Sequence, residues 1–281
     1  MGEILALVSA LFFGTTHFLN GLLARRVDSV AVAVIGQLGG TVLILAVAPF
    51  VAAPHIGGGP LAWGALSGIG TGVGVGFLYR GLGRGRFSVV VPLSDVAAVA
   101  LPVLVGVALL GDRPGPPAWC GIAAAPPALW LITRSGRADE DGGDGVAAGA
   151  RDGLIAGVGF AVQFIALARA DPGAGLWPLV TSRAASVLAL LPLIAADPGR
   201  LRMAPRLAWS CLGAGALGTI AIALYTLATR EQLLSLAVVL TALYPAIPVL
   251  LGVTVLHERL SRAQTIGLVC AAAAIALISV S

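Results

Sequence analysis

The chain has 281 residues, 58% of them hydrophobic and only 11% charged, with a formal net charge of +4. A soluble domain carries about 25% charged residues, so a soluble globular fold is excluded and the long apolar runs point to an all-α polytopic membrane protein. The basic residues are all arginine and stand mostly in turns between runs, which accounts for the positive charge without a nucleic-acid partner.

The first span is expected at 4–24 and carries His17 and, one turn on, Asn20. No basic segment precedes it and Arg25-Arg26 follow it, the pattern of a retained span and not of a cleaved leader. The second span, 30–52, holds Gln37. The third, 61–79, has glycines 64, 68, 72 and 76 one turn apart, with Gly70 and Gly74 between. A nucleotide loop would need a preceding strand, so this is read as a ridge for close helix packing. The fourth span, 88–110, holds Pro92, Asp95 and Pro102, and the fifth runs over 116–133.

Residues 134–152 form the one clearly hydrophilic segment, with Asp139, Glu140, Asp141 and Asp144 among glycines, and read as a flexible linker. Spans follow at 153–170 with Gln163, 176–195 with Arg183, and 207–228. The ninth, 233–256, holds Thr241, Tyr244, Pro245 and Pro248, and the tenth covers 263–280. Cys120, Cys211 and Cys270 lie in spans with no CxxC pattern, so neither a disulfide nor a metal site is expected.

The last two spans carry a family signature. Leu243-Tyr244-Pro245, then Leu256-His257-Glu258-Arg259-Leu260-Ser261, then Gln264 and Gly267, resemble the last two helices of EamA-like proteins of the drug/metabolite transporter superfamily. The family pattern at the turn is Gly-Glu-Arg, and His257 replaces its glycine. The resemblance implies two five-helix repeats around a central cavity, with the last helix of each repeat at the periphery.

A repeat is also visible in the residues themselves. At a constant offset of 146, Leu61-Ala62-Trp63 matches Leu207-Ala208-Trp209, Pro102-Val103-Leu104 matches Pro248-Val249-Leu250, and Gly121 matches Gly267. Repeat one is residues 1–133 and repeat two 153–281. Five spans is an odd number, so the second copy is expected to enter the membrane inverted, an architecture of transporters with a substrate site near the midplane. Arginines crowd the turns after the odd-numbered spans, which by the basic-inside rule places both termini outside. Relatives in the family have both termini in the cytoplasm.

The expected function is secondary-active transport, an export of a small metabolite, amino acid or drug-like solute across the cell membrane of a prokaryote. No enzyme motif and no ATP site is present, so no cofactor is expected and uphill movement must use an ion gradient. The rival reading, a membrane enzyme or flippase acting on lipid-linked substrates, would lean on the acidic cluster of the linker. Intramembrane ionisable residues mark pathways, which selects His17, Asp95 and Arg183, with Asn20, Gln37, Gln163, Thr241 and Tyr244 as polar companions. Counting rise along the helices puts His17 and Asp95 at the same depth. They are expected to pair, either exchanging a proton or only fixing two spans together, with Asn20 orienting the ring. Arg183 is expected to attract an acidic group of the substrate or to pair structurally with a carboxylate or helix carbonyls. Pro92, Pro102, Pro245 and Pro248 are expected to kink their spans or to line and gate a cavity. Tyr79 and Tyr225, near span ends, read as interfacial anchors or as interhelical hydrogen-bond donors. Oligomeric state is not legible.

Overall fold

The computed structural model describes residues 1–84, 87–133, 143–255, 257 and 261–279. Among them there is no strand, and eleven α-helices follow one another: α1 (Gly2–Ala24), α2 (Ser29–Val47), α3 (Gly58–Arg84), α4 (Phe87–Leu109), α5 (Pro116–Thr133), α6 (Gly143–Arg169), α7 (Trp177–Ala195), α8 (Pro205–Glu231), α9 (Leu234–Ala242), α10 (Ala246–Val255) and α11 (Arg262–Ser279). Seven stretches among the described residues are long and apolar enough to cross a bilayer, and α9 with α10 together make one of them, Leu234–Val255. Shorter apolar helices occupy Leu93–Leu109 and Arg262–Ile278. Helix α6 starts at Gly143, inside the expected linker, while Asp139, Glu140 and Asp141 lie outside the described residues.

The packing is unchanged when the two halves exchange places. Helix α3 lies on α6 and α7, and its equivalent α8 lies on α1 and α2. Helix α4 packs on α6, as α9 and α10 pack on α1. Helices α5 and α11, which are equivalent, pack on each other, as do α2 and α7. Near its start α5 brings Gly121 against Ala274 and Ile278 near the end of α11, and Gly267 near the start of α11 meets Leu131 and Ile132 near the end of α5. The two therefore run antiparallel. This fits the two-repeat architecture.

Small residues set the helix separations, because lipid supplies no hydrophobic force between apolar helices. Gly64, Gly68 and Gly72 face Pro178, Ser182 and Ala189 of α7, and Gly76 stands beside Leu193. Gly70 and Gly74 face Gly159 and Phe160 of α6. Span three thus uses two glycine stripes, one for each neighbour, as a packing surface. The outward faces keep large apolar side chains such as Leu11, Val42, Leu188 and Val269 exposed, the composition a lipid-facing surface requires.

Side chains hold several ends. Asp28 caps α2 by accepting from the backbone N–H of Val30 and Ala31. Asp112, in the turn after α4, accepts from the backbone N–H of Ser235 at 2.8 Å and so pins the start of α9 from the other half of the chain. Asp152, buried, takes a two-pronged bond from Arg80 (Nε at 3.0 Å, Nη2 at 2.6 Å), and Arg80 also lies over the Phe77 ring.

The turn that carries the family signature has a backbone cost. His257 has φ 54° and its equivalent one repeat earlier, Gly111, has φ 79°. The left-handed conformation costs a side-chain-bearing residue roughly 1–2 kcal/mol and glycine almost nothing. Glycine's larger unfolded-state entropy offsets part of that gain. His257→Gly is therefore expected to raise stability by roughly 0.5–1 kcal/mol. Gly111→Ala is expected to cost about 1 kcal/mol or more, although open space surrounds its Cβ position. Thermal unfolding of the two variants in detergent checks both signs.

Candidate functional site

The ninth span is broken in its middle. Leu243, Tyr244 and Pro245 form a turn between α9 and α10. The bonds across it reach three residues back and not four: Tyr244 N–H to Thr241, Ala246 N–H to Leu243 and Ile247 N–H to Tyr244. Pro245 has no N–H to continue α9, and Pro248 occupies the first turn of α10, where a missing N–H costs nothing. The expected kink is thus a full interruption here. In the equivalent α4 the backbone stays helical through Pro92 and Pro102, so those two prolines do not interrupt their helix.

The two sides of the break differ. Nearly every residue of α9 is buried, whereas Gly252 alone is buried in α10. The break also aims Tyr244 inward. Its ring stacks on His17 at 4.5 Å between centroids, and its hydroxyl donates to Asp95 Oδ1 at 3.0 Å. His17 is accessible, Tyr244 half-buried and Asp95 buried, so the three run from an accessible ring to an interior carboxylate.

The expected direct pairing of His17 with Asp95 is corrected. Among the described residues no hydrogen bond joins them, and Tyr244 touches both. The His17 ring turns back on its own helix, donating from Nδ1 to the Phe13 carbonyl at 2.8 Å, so its orientation comes from Phe13 and Tyr244 and not from Asn20. Helix rise points to the proximity of the two residues; the intervening ring is not legible, because the break at Leu243–Pro245 interrupts the 3.6-residue period.

In this site Asp95 Oδ2 is buried without a hydrogen-bond partner, as are Ser94 Oγ elsewhere on α4 and Asn20 Oδ1 and Thr16 Oγ1 on α1, the last facing Gly218 of α8. Unsatisfied buried groups cost about 1–3 kcal/mol each and call for an explanation, of which a transient ligand is one.

The other expected residues fall into two groups. Gln163 accepts from Thr71 Oγ1 at 2.6 Å and Thr241 donates to the Ala6 carbonyl at 3.4 Å, so both tie helices together across the two halves. Gln37 and Arg183 meet each other: Arg183 Nη1 donates to Gln37 Oε1 at 2.7 Å. They are repeat equivalents, so they meet where the two halves exchange. Ser186, not anticipated, also donates to Gln37 Oε1, at 3.1 Å.

An aromatic chain connects the halves behind the site. Tyr225 packs edge-on against Phe164, Phe164 edge-on against Phe13, and Phe13 tilts against Tyr244. Tyr225 is fully buried and donates to the Phe164 carbonyl at 3.0 Å, which corrects its reading as an interfacial anchor in favour of an interhelical bond. The side chain of Tyr79 lies outside the described residues. No group of three or more His, Cys, Asp or Glu residues fit to hold a metal occurs among the described residues.

The comparisons agree with this architecture. A solved crystal structure of a protein shares the fold with a TM-score of 0.77, covering 99% of this chain and 98% of its own at 18% identity. No curated protein matches the chain in sequence. The EamA-like transporter family matches residues 1–134 and again 145–280, with the gap between the two matches inside the polar segment. Matched over both halves, the chain belongs to the EamA-like transporter family.

Proposed function

We propose that this chain is a secondary-active carrier that exports a small metabolite, amino acid or drug-like solute by alternating access, coupled to protons. The observation that carries the reading is the break of the ninth span at Leu243–Pro245, which links an exposed His17 through Tyr244 to a buried Asp95 with an unpaired oxygen. Helix interruptions at depth are tolerated where protein or a cavity surrounds them, and carriers bind substrate and ion at such points. In this reading the buried α9, pinned by Asp112, is the fixed side of the break, and the less buried α10 is the side that would rock.

The reading includes ten spans in two oppositely inserted halves of a prokaryotic cell membrane. Trp63 and its equivalent Trp209 are exposed near the starts of α3 and α8, and opposite insertion places them at opposite interfaces, where indoles anchor. It also places both termini outside, on the strength of the arginine bias. Protease or reporter accessibility at Ser281 decides that point: an extracytoplasmic signal is expected, and a cytoplasmic one defeats it.

Transport itself is tested by counterflow. Purified protein in proteoliposomes preloaded with candidate solutes is expected to exchange at least one of them with labelled external solute, faster than protein-free vesicles. An enzyme or scaffold gives no exchange with any solute.

A further inference from the structure

We propose that Arg183 forms an anion-binding subsite at the meeting line of the two halves, taking a carboxylate or phosphate group of a solute. Arg183 is the one buried arginine among the described residues, with 9% of its surface exposed. Its guanidinium donates from Nη1 to the neutral Gln37 Oε1, and its Nε is buried without a partner. Among the described residues no carboxylate lies within ion-pair distance of it.

A guanidinium keeps its proton under all ordinary conditions, so this is a permanent buried charge with only an amide facing it. Charges at such depth are costly unless paired. The other buried carboxylates among the described residues face elsewhere: Asp152 holds Arg80, Asp112 holds the start of α9, and Asp95 accepts from Tyr244 through Oδ1. Among the described residues no carboxylate supplies the counter-charge of Arg183, and the anion taken up at the subsite would supply it.

Gly40 faces Arg183, and a Cβ there would stand 3.5 Å from Cδ and against Thr219 Oγ1. The single proton of the Ser186 hydroxyl is shared between the Arg183 carbonyl at 2.8 Å and the same Gln37 oxygen at 3.1 Å, which ties the amide to α7. The planar fork of an arginine fixed in this way suits the two oxygens of a carboxylate or phosphate. The inference rests on the carrier reading only in calling the bound anion a substrate; the binding stands on the buried charge.

The test supplies the missing counter-ion from inside. Gln37→Glu is close to isosteric and places a carboxylate where Arg183 already donates. Thermal unfolding of the full chain in detergent is followed while chloride, acetate or inorganic phosphate is titrated, with ionic strength balanced by a bulky sulfonate. At least one probe is expected to raise the midpoint saturably, and the probe that acts separates a carboxylate from a phosphate ligand. In Gln37→Glu the midpoint without probe is expected to rise and the affinity for the probe to fall by roughly tenfold or more. Arg183→Gln is expected to lose the response altogether. The proposal is overturned if no probe gives a saturable shift, or if Gln37→Glu binds the probe as the unaltered protein does. Counterflow fails or succeeds independently of these outcomes, so loss of the carrier reading and loss of the anion site are told apart.

Discussion

Gly68→Leu is expected to eliminate the folded protein. A Cβ at Gly68 would lie against the Ser182 carbonyl oxygen and 2.8 Å from the Ala185 Cβ, and the first of these is backbone of α7 that cannot rotate away. Overpacking a well-filled contact costs typically 1–3 kcal/mol, and forcing α3 from α7 also disturbs the Ser67–Ser182 bond of the same contact. A loss of at least about 3 kcal/mol follows, with no monodisperse protein after detergent extraction. Gly213→Leu is the control, because nothing lies within 4 Å of its Cβ position in α8. That variant is expected at normal yield, with slightly raised stability from better helix propensity. Equal yields of the two variants would remove the packing argument for the glycine stripes.

Asp95→Asn is expected to leave exchange intact and abolish accumulation driven by a pH gradient. Asp95 Oδ1 is held by the Tyr244 hydroxyl while Oδ2 is buried and unpaired, so one oxygen is fixed and the other is available to a proton. The amide keeps the shape and accepts the same hydroxyl bond, but it carries no exchangeable charge. Tyr244→Phe is expected to keep accumulation at a reduced rate, because the ring still stacks on His17 while the carboxylate loses its orientation. Uptake into proteoliposomes with and without an imposed pH gradient, run beside counterflow, reads both effects. An Asp95→Asn protein that still concentrates solute under the gradient sinks proton coupling through this residue.

These two outcomes draw on features of different legibility. The glycine stripe of α3 is plain in the chain because small residues recurring every four positions must share one helix face. The repeat is equally plain in the chain. Gln37 and Arg183 are equivalents, and in a pair of halves related by exchange an equivalent pair meets near the axis. The left-handed turn after α4 falls on a glycine, Gly111, and its repeat equivalent falls on His257, where the family pattern it resembles has glycine.

The amino-acid sequence alone determined the class, the order of apolar spans, the two-fold repetition and the family, because hydropathy, glycine spacing and turn chemistry are local properties. It placed His17 and Asp95 at one depth, since rise along a helix needs only counting. It did not determine which prolines break a helix. Pro126 and Pro127 are adjacent in α5, which continues through them, and Pro102 is absorbed in α4, yet the equivalent stretch around Pro245 opens. Whether freed carbonyls find partners depends on the helices alongside. The tertiary structure also decided that Tyr244 stands between His17 and Asp95, and that Arg183 faces an amide and not an acid. Each of these is a matter of how one helix is rotated about its axis against its neighbours, and that rotation is set by packing of the whole bundle, which no local stretch of residues encodes.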